Sequence, residues 1–130
     1  VQGWAVAARK PVEFTIAPAD AINKLLSRAK LTTTDVDLWE INEAFAVVSI
    51  ANNRLLELDG KSVNVRGGAV ALGHPIGASG LRMMYEMWLQ LRGEAGARQI
   101  KSPKLGLTHN LGGAPGRCVS FVSIVGSELG

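Results

Sequence analysis

The sequence predicts a mixed α/β layer that closes on an antiparallel pair of strands. Three observations predict it. Helix-like and strand-like hydropathy periods alternate along most of the chain. Two β-like runs then follow each other with only a Gly-rich connector between them. The helical segments are apolar on more than one side, which predicts burial between the layers of a larger assembly.

In chain order, Val1–Ala8 is apolar and β-compatible, with Gly3 as a weak point. Pro11 and Pro18 bracket a loop-like stretch. Pro18 suits a first helical turn, where its missing N–H costs nothing, and Asp20 favours the positive end of the helix dipole. Ile22, Leu25, Leu26 and Ala29 follow at helical spacing, so an amphipathic helix is predicted over 18–30. Thr32 to Asp35 is a polar connector, and 36–41 reads as a strand. A long apolar helix is predicted over 44–58, ended by Asp59-Gly60, and a short strand over 62–65. From 81 to 92 the helical period returns, with Met84, Met87, Trp88 and Leu91 on one face read as core. Strands are predicted over 104–108 and 117–125, joined by a loop from Asn110 to Gly116.

Composition bounds the function. The chain has 130 residues, 47% hydrophobic and 19% charged, too apolar for a disordered protein. One Cys excludes an internal disulfide framework and a multi-Cys metal site. His-x3-His spacing is absent, and no metal site is expected. The 14 Lys and Arg against 11 Asp and Glu are scattered, without a basic stripe, so no nucleic-acid partner is expected. No run of about 18 uncharged apolar residues occurs, so no membrane span is expected. Val1-Gln2-Gly3-Trp4 does not resemble a signal peptide, and a cytoplasmic location is expected. The missing initiator Met implies a processed, excised or cut chain.

The segment from Gly67 to Gly80 places five Gly in 14 residues and cannot be a regular element throughout. It holds His74 between Gly73 and Pro75, where an imidazole can polarise a carbonyl oxygen or move a proton near neutral pH. Asn42, just before a helical run, reads as a helix cap or as an amide that holds a water. His109 reads as a satisfied buried His, and Cys118 as an inert buried thiol. Ser79 reads as a helix cap. A hydrolase nucleophile elbow fails because Leu81 stands where the last Gly should be.

Taken together, these segments resemble the C-terminal half of the thiolases. Trp39 to Ala46 is similar to that family's Asn-Glu-Ala-Phe block, Gly67 to Gly80 to its Gly-His-Pro block, and Phe14 to Pro18 to the approach to its first helix. The resemblance implies a mixed five-stranded sheet with helices on both faces. The domain 1–130 would pair with a nucleophile-bearing N-terminal half in a homo- or hetero-oligomer. It implies acyl transfer between acyl-CoA molecules, by thiolytic cleavage of 3-ketoacyl-CoA or Claisen condensation in reverse. Coenzyme A and acyl-CoA enter as substrates, and no bound cofactor is implied. By the resemblance, His74 donates to the thioester oxygen, and Asn42 holds a water that completes an oxyanion hole with it. The Gly112 N–H serves a second oxyanion hole, and Ala44 and Phe45 line the pantetheine channel. Nothing here corresponds to the family's acyl-carrying Cys, so the isolated chain is expected to be inactive.

One departure from the pattern stands out. The His-Asn-Leu-Gly run from His109 to Gly112 is similar to the sterol-carrier-protein type of thiolase and puts Asn110 at the family's acid/base Cys. An amide has no pKa in the useful range, and alternation points the neighbouring His109 the other way. A non-catalytic acyl-CoA-binding or scaffold module is the alternative expectation.

Overall fold

The computed structural model describes residues 1–43, 45–64, 78–114 and 117–127. Its named elements are β1 (Gly3–Ala7), α1 (Ala17–Ala29), β2 (Leu38–Ile41), α2 (Ala46–Leu55), α3 (Ser79–Arg92), β3 (Leu105–Ala114) and β4 (Arg117–Gly126). The sheet order is β1-β4-β3-β2. β4 runs antiparallel to both β1 and β3, and β2 runs parallel to β3. The mixed α/β layer and its closing antiparallel pair are therefore as the sequence predicts.

Among the described residues, the strand expected over 62–65 is an isolated parallel bridge between Val63 and Trp39. The Trp39 N–H donates to the Ser62 carbonyl at 2.9 Å, and the Asn64 N–H to the Trp39 carbonyl at 2.7 Å. Asn64 then turns into the left-handed region, φ 50°. Among the described residues, four named strands plus this bridge stand where five strands were expected.

Alternation assigns the two faces. Trp39, Ile41, Leu107, Val122, Ile124 and Ala5 join Ile22, Leu25 and Leu26 of α1 in one buried cluster. Side chains of opposite parity meet α3: Thr108 and Ser123 approach the Met84 sulfur, and Gly106 lies under Met87. A Cβ on Gly106 would fall on the Met87 sulfur, so that position must stay bare for α3 to seat. The expected helices on both faces are present. Asp37 fixes the β2–β3 register, its Oδ2 accepting the N–H of Lys104 at 2.7 Å and of Leu105 at 3.0 Å.

Several elements differ at their ends from the sequence expectation. The stretch from Pro11 to Ile16 winds as a 3₁₀-helix rather than a loop. The second helix covers Ala46–Leu55 rather than 44–58. β3 extends to Ala114, paired with Arg117, so Asn110 to Ala114 are strand and not loop. Glycine lowers strand propensity, and cross-strand pairing along β4 overrides it. Ser79 is the first residue of α3, not its cap, and is buried.

A buried amide joins α1 to α2. Asn52 Oδ1 accepts the Ala19 N–H at 2.9 Å, an otherwise orphaned donor of the first turn of α1. Its Nδ2 donates to the carbonyls of Thr15 at 2.7 Å and Val48 at 2.6 Å. Asn52→Ala removes a full set of partners from buried backbone groups. We expect it to destabilise the fold by about 2–4 kcal/mol. Urea unfolding checks this, and a change below about 0.5 kcal/mol, the ordinary size for surface substitutions, would contradict it.

Candidate active site

Two of the candidate residues, Asn42 and Asn110, meet at the carboxyl end of β2, where ligands sit in open α/β sheets. Asn42 follows directly on β2 and is only 3% exposed. Its N–H donates to the His109 carbonyl at 3.1 Å, which continues the pairing with β3 by one residue. Its side chain falls on the α3 face, where Nδ2 donates to Asn110 Oδ1 at 3.1 Å. Asn42 is therefore not a helix cap: the residue capping α2 is Phe45. The Asn42 Oδ1 is buried and, among the described residues, has no hydrogen-bond partner.

α3 begins against this pair. A Cβ on Gly80 would stand 3.2 Å from Asn110 Nδ2, so the bare glycine gives the second amide its room. Gly112 lies two residues beyond Asn110 on β3, opposite Val119, and is exposed. A Cβ there would meet nothing within 4 Å. Phe45 is 61% exposed and meets Phe14 edge-on at 6.3 Å. His74 and Ala44 lie outside the described residues, as does the Cys118 side chain.

Asn64 is a site-building residue that pattern reading missed. Its Oδ1 accepts the Ile41 N–H at 2.8 Å, and its Nδ2 donates to the Ile41 carbonyl at 3.0 Å. The side chain thus imitates a neighbouring strand and clamps the residue before Asn42. The signal was an Asn at the edge of a Gly-rich run, since Asn enters the left-handed region more readily than most residues.

His109 turns to the opposite face, beside the core under α1. Its Nε2 is 2.7 Å from Ser120 Oγ, while Nδ1 has no partner among the described residues. Burial lowers its pKa from 6.5 to about 3, so the ring is neutral at pH 7. It shares no face with Asn42 and Asn110 and cannot replace a missing acid/base on their side of the sheet.

An apolar surface continues from this site. Trp4 stacks on Phe121 at 6.4 Å, and both, with Val6 and Val119, are exposed on the sheet face that α3 leaves open. On α3, Tyr85 stacks on Trp88 at 5.8 Å and Arg92 lies over the Trp88 ring at 4.8 Å. Trp88, expected in the core, is 47% exposed. Periodicity finds an apolar face but cannot say whether this chain covers it. A cleft of about 630 Å³ between Met84, Tyr85, Trp88, Leu91 and Val125 joins helix to sheet. Among the described residues no group of three or more His, Cys, Asp or Glu is placed to hold a metal ion, and no helix is long and apolar enough to cross a membrane.

Fold and site together define an α/β domain with paired amides at a strand end and a wide uncovered apolar face. Residues 1–117 match the family model described as the thiolase C-terminal domain. Acetyl-CoA acetyltransferase 1 of Arabidopsis thaliana is 43% identical over 123 residues, 95% of this chain and 29% of that protein. The mitochondrial acetyl-CoA acetyltransferase B of Xenopus laevis is 54% identical over 92 residues, 71% of this chain and 22% of that protein. Human mitochondrial 3-ketoacyl-CoA thiolase superposes with a TM-score of 0.82 at 35% identity, over 98% of this chain and 30% of that one. The Acat5 thiolase from Ascaris suum, solved in complex with coenzyme A, gives a TM-score of 0.75 at 42% identity, over 95% of this chain and 30% of that one. The chain belongs to the thiolase family, and it spans less than a third of the length of these relatives.

Proposed function

We propose that the chain is the C-terminal half of a thiolase-type acyl-CoA acyltransferase, cleaving 3-ketoacyl-CoA with coenzyme A or running the condensation in reverse. The observation that carries this reading is the Asn42–Asn110 pair at the carboxyl end of β2, inside a chain of thiolase sequence and fold. Acyl transfer through a thioester enolate needs hydrogen-bond donors where negative charge develops, ahead of the reaction and out of bulk water. His74 would donate to the thioester oxygen. Asn42, nearly inaccessible, would hold the water that completes that oxyanion hole. The backbone N–H of Gly112 would serve the tetrahedral intermediate. Ala44 and Phe45 would line the channel for the pantetheine arm of coenzyme A, and no further cofactor is required. The family's Cys nucleophile would come from the other half, joined to this chain or separate from it, within an oligomer.

The uncovered apolar face supports such a partner, because an aromatic surface of this kind is costly to leave in water. A second reading, an acyl-CoA-binding module without turnover, is favoured by one observation. The Asn110 amide, placed against Asn42, offers no proton-transfer group where the family has a Cys. One experiment separates the two. The chain alone is expected to self-associate and bind a hydrophobic dye. Adding a nucleophile-bearing thiolase half should suppress the dye signal and bring thiolysis of a 3-ketoacyl-CoA. Coenzyme A binding with no turnover in that mixture would favour the binding module. A stable, dye-silent monomer that ignores the added half would overturn the half-enzyme reading.

A further inference from the structure

We propose that Asn110 is a positioning residue that sets which atom of the Asn42 amide faces the reaction. The inference rests on the reading of Asn42 given above and extends it to a residue that the family pattern leaves without a role. The Asn42 amide has one acceptor and one donor group, and the structure spends them unequally. Its Nδ2 donates to Asn110 Oδ1 at 3.1 Å. Its Oδ1 is buried and, among the described residues, has no donor. A buried carbonyl oxygen without a donor is costly, so the site is built to receive one. A water donating one proton to Asn42 Oδ1 keeps its second proton for a developing oxyanion. An Asn42 amide turned by half a rotation would present N–H groups instead, so that water would have to turn and accept from them.

Three features hold the orientation. The Asn42 N–H is fixed to the His109 carbonyl, one residue before Asn110, so the two side chains leave adjacent strands on the same face. Asn110 accepts only through its oxygen, and its Nδ2 is directed at Gly80, where a Cβ would stand 3.2 Å away. Asn64 clamps Ile41 from the other side. Where the usual pattern places an acid/base thiol, this chain places an acceptor that locks its neighbour.

The test uses the complete enzyme, this chain together with the nucleophile-bearing half, and compares wild type with Asn110→Ala, Asn110→Asp and Gly80→Ala. Crystal structures give a readout that needs no turnover. An ordered water on Asn42 Oδ1 is expected in wild type and in Asn110→Asp, which keeps the acceptor. In Asn110→Ala the Asn42 amide should rotate and the water should go, and in Gly80→Ala, which pushes Asn110 without removing it, the pair should lengthen. The kcat of Asn110→Ala should fall about 10- to 100-fold with KM nearly unchanged, as expected for a misplaced group near the chemistry. An Asn42 side chain and water that stay in place in Asn110→Ala and Gly80→Ala would overturn the proposal. Loss of that geometry with full kcat would uphold the positioning role and overturn instead the assignment of Asn42 to catalysis.

Discussion

Replacing His74 by Ala in the complete enzyme is expected to lower kcat by about 10²- to 10³-fold, the range for removal of one oxyanion-hole donor. The argument is chemical. The α-carbon of a thioester gives up a proton only if the enolate oxygen is stabilised as charge reaches it. In the proposed mechanism a water on Asn42 would supply one donor, and the His74 imidazole would supply the stronger one. His74 sits between Gly73 and Pro75, a loop sequence and not a helical or strand period, so its removal should cost the fold little. Steady-state kinetics with a 3-ketoacyl-CoA, alongside a thermal melt, check both halves of the statement. Wild-type turnover in His74→Ala would remove His74 from the mechanism, whereas a collapsed melt would make it structural.

The second large effect is on stability and concerns the other histidine. Burial holds the His109 pKa at about 3 in the folded chain, against 6.5 for the free side chain. The sign follows from which state takes the proton. As pH falls below about 6.5 the unfolded chain protonates His109 and the folded chain does not, so unfolding is favoured increasingly. Stability is therefore undiminished above about 6.5. It should fall through the window down to about 3 with a limiting slope near 1.4 kcal/mol per pH unit. Asp20, held low by the hydrogen bond and charge of Arg9, and Asp35, held low by hydrogen bonds from Thr32, also lose stabilisation on acidification, but below the carboxylate range. They cancel when wild type is compared with His109→Gln. Urea unfolding of the two proteins from pH 7 to 4.5 should show the wild type losing stability faster. Parallel pH profiles would mean that water or a donor reaches Nδ1 and that His109 is not the buried neutral base described here.

How much of this was legible beforehand differs from element to element. The α1 helix was readable because Pro18, Asp20 and the Ile22, Leu25, Leu26 stripe are local signals that agree with one another. The strand from Asn110 to Ala114 was not, because its glycines carry no strand propensity and its ten-residue ladder with β4 is a non-local interaction. The Met84, Trp88 stripe was readable as apolar but not as exposed, since spacing shows which residues share a face and not whether the rest of the fold covers it. The candidate site residues Asn42 and Asn110 were singled out by their resemblance to a family. Their contact across 68 positions was not.

The sequence by itself determined the α/β class, the order of its elements, the family and the residue types available for chemistry. Periodicity, turn signals and the Asn-Glu-Ala-Phe and Gly-His-Pro blocks are written in neighbouring positions. The tertiary structure decided which way each side chain points. It put His109 under α1 with Ser120, turned Asn42 and Asn110 together on the α3 face, and used Asn52 and Asn64 as buried clamps on backbone. Those outcomes depend on sheet pairing and register, and a shift of one residue in register would exchange the two faces.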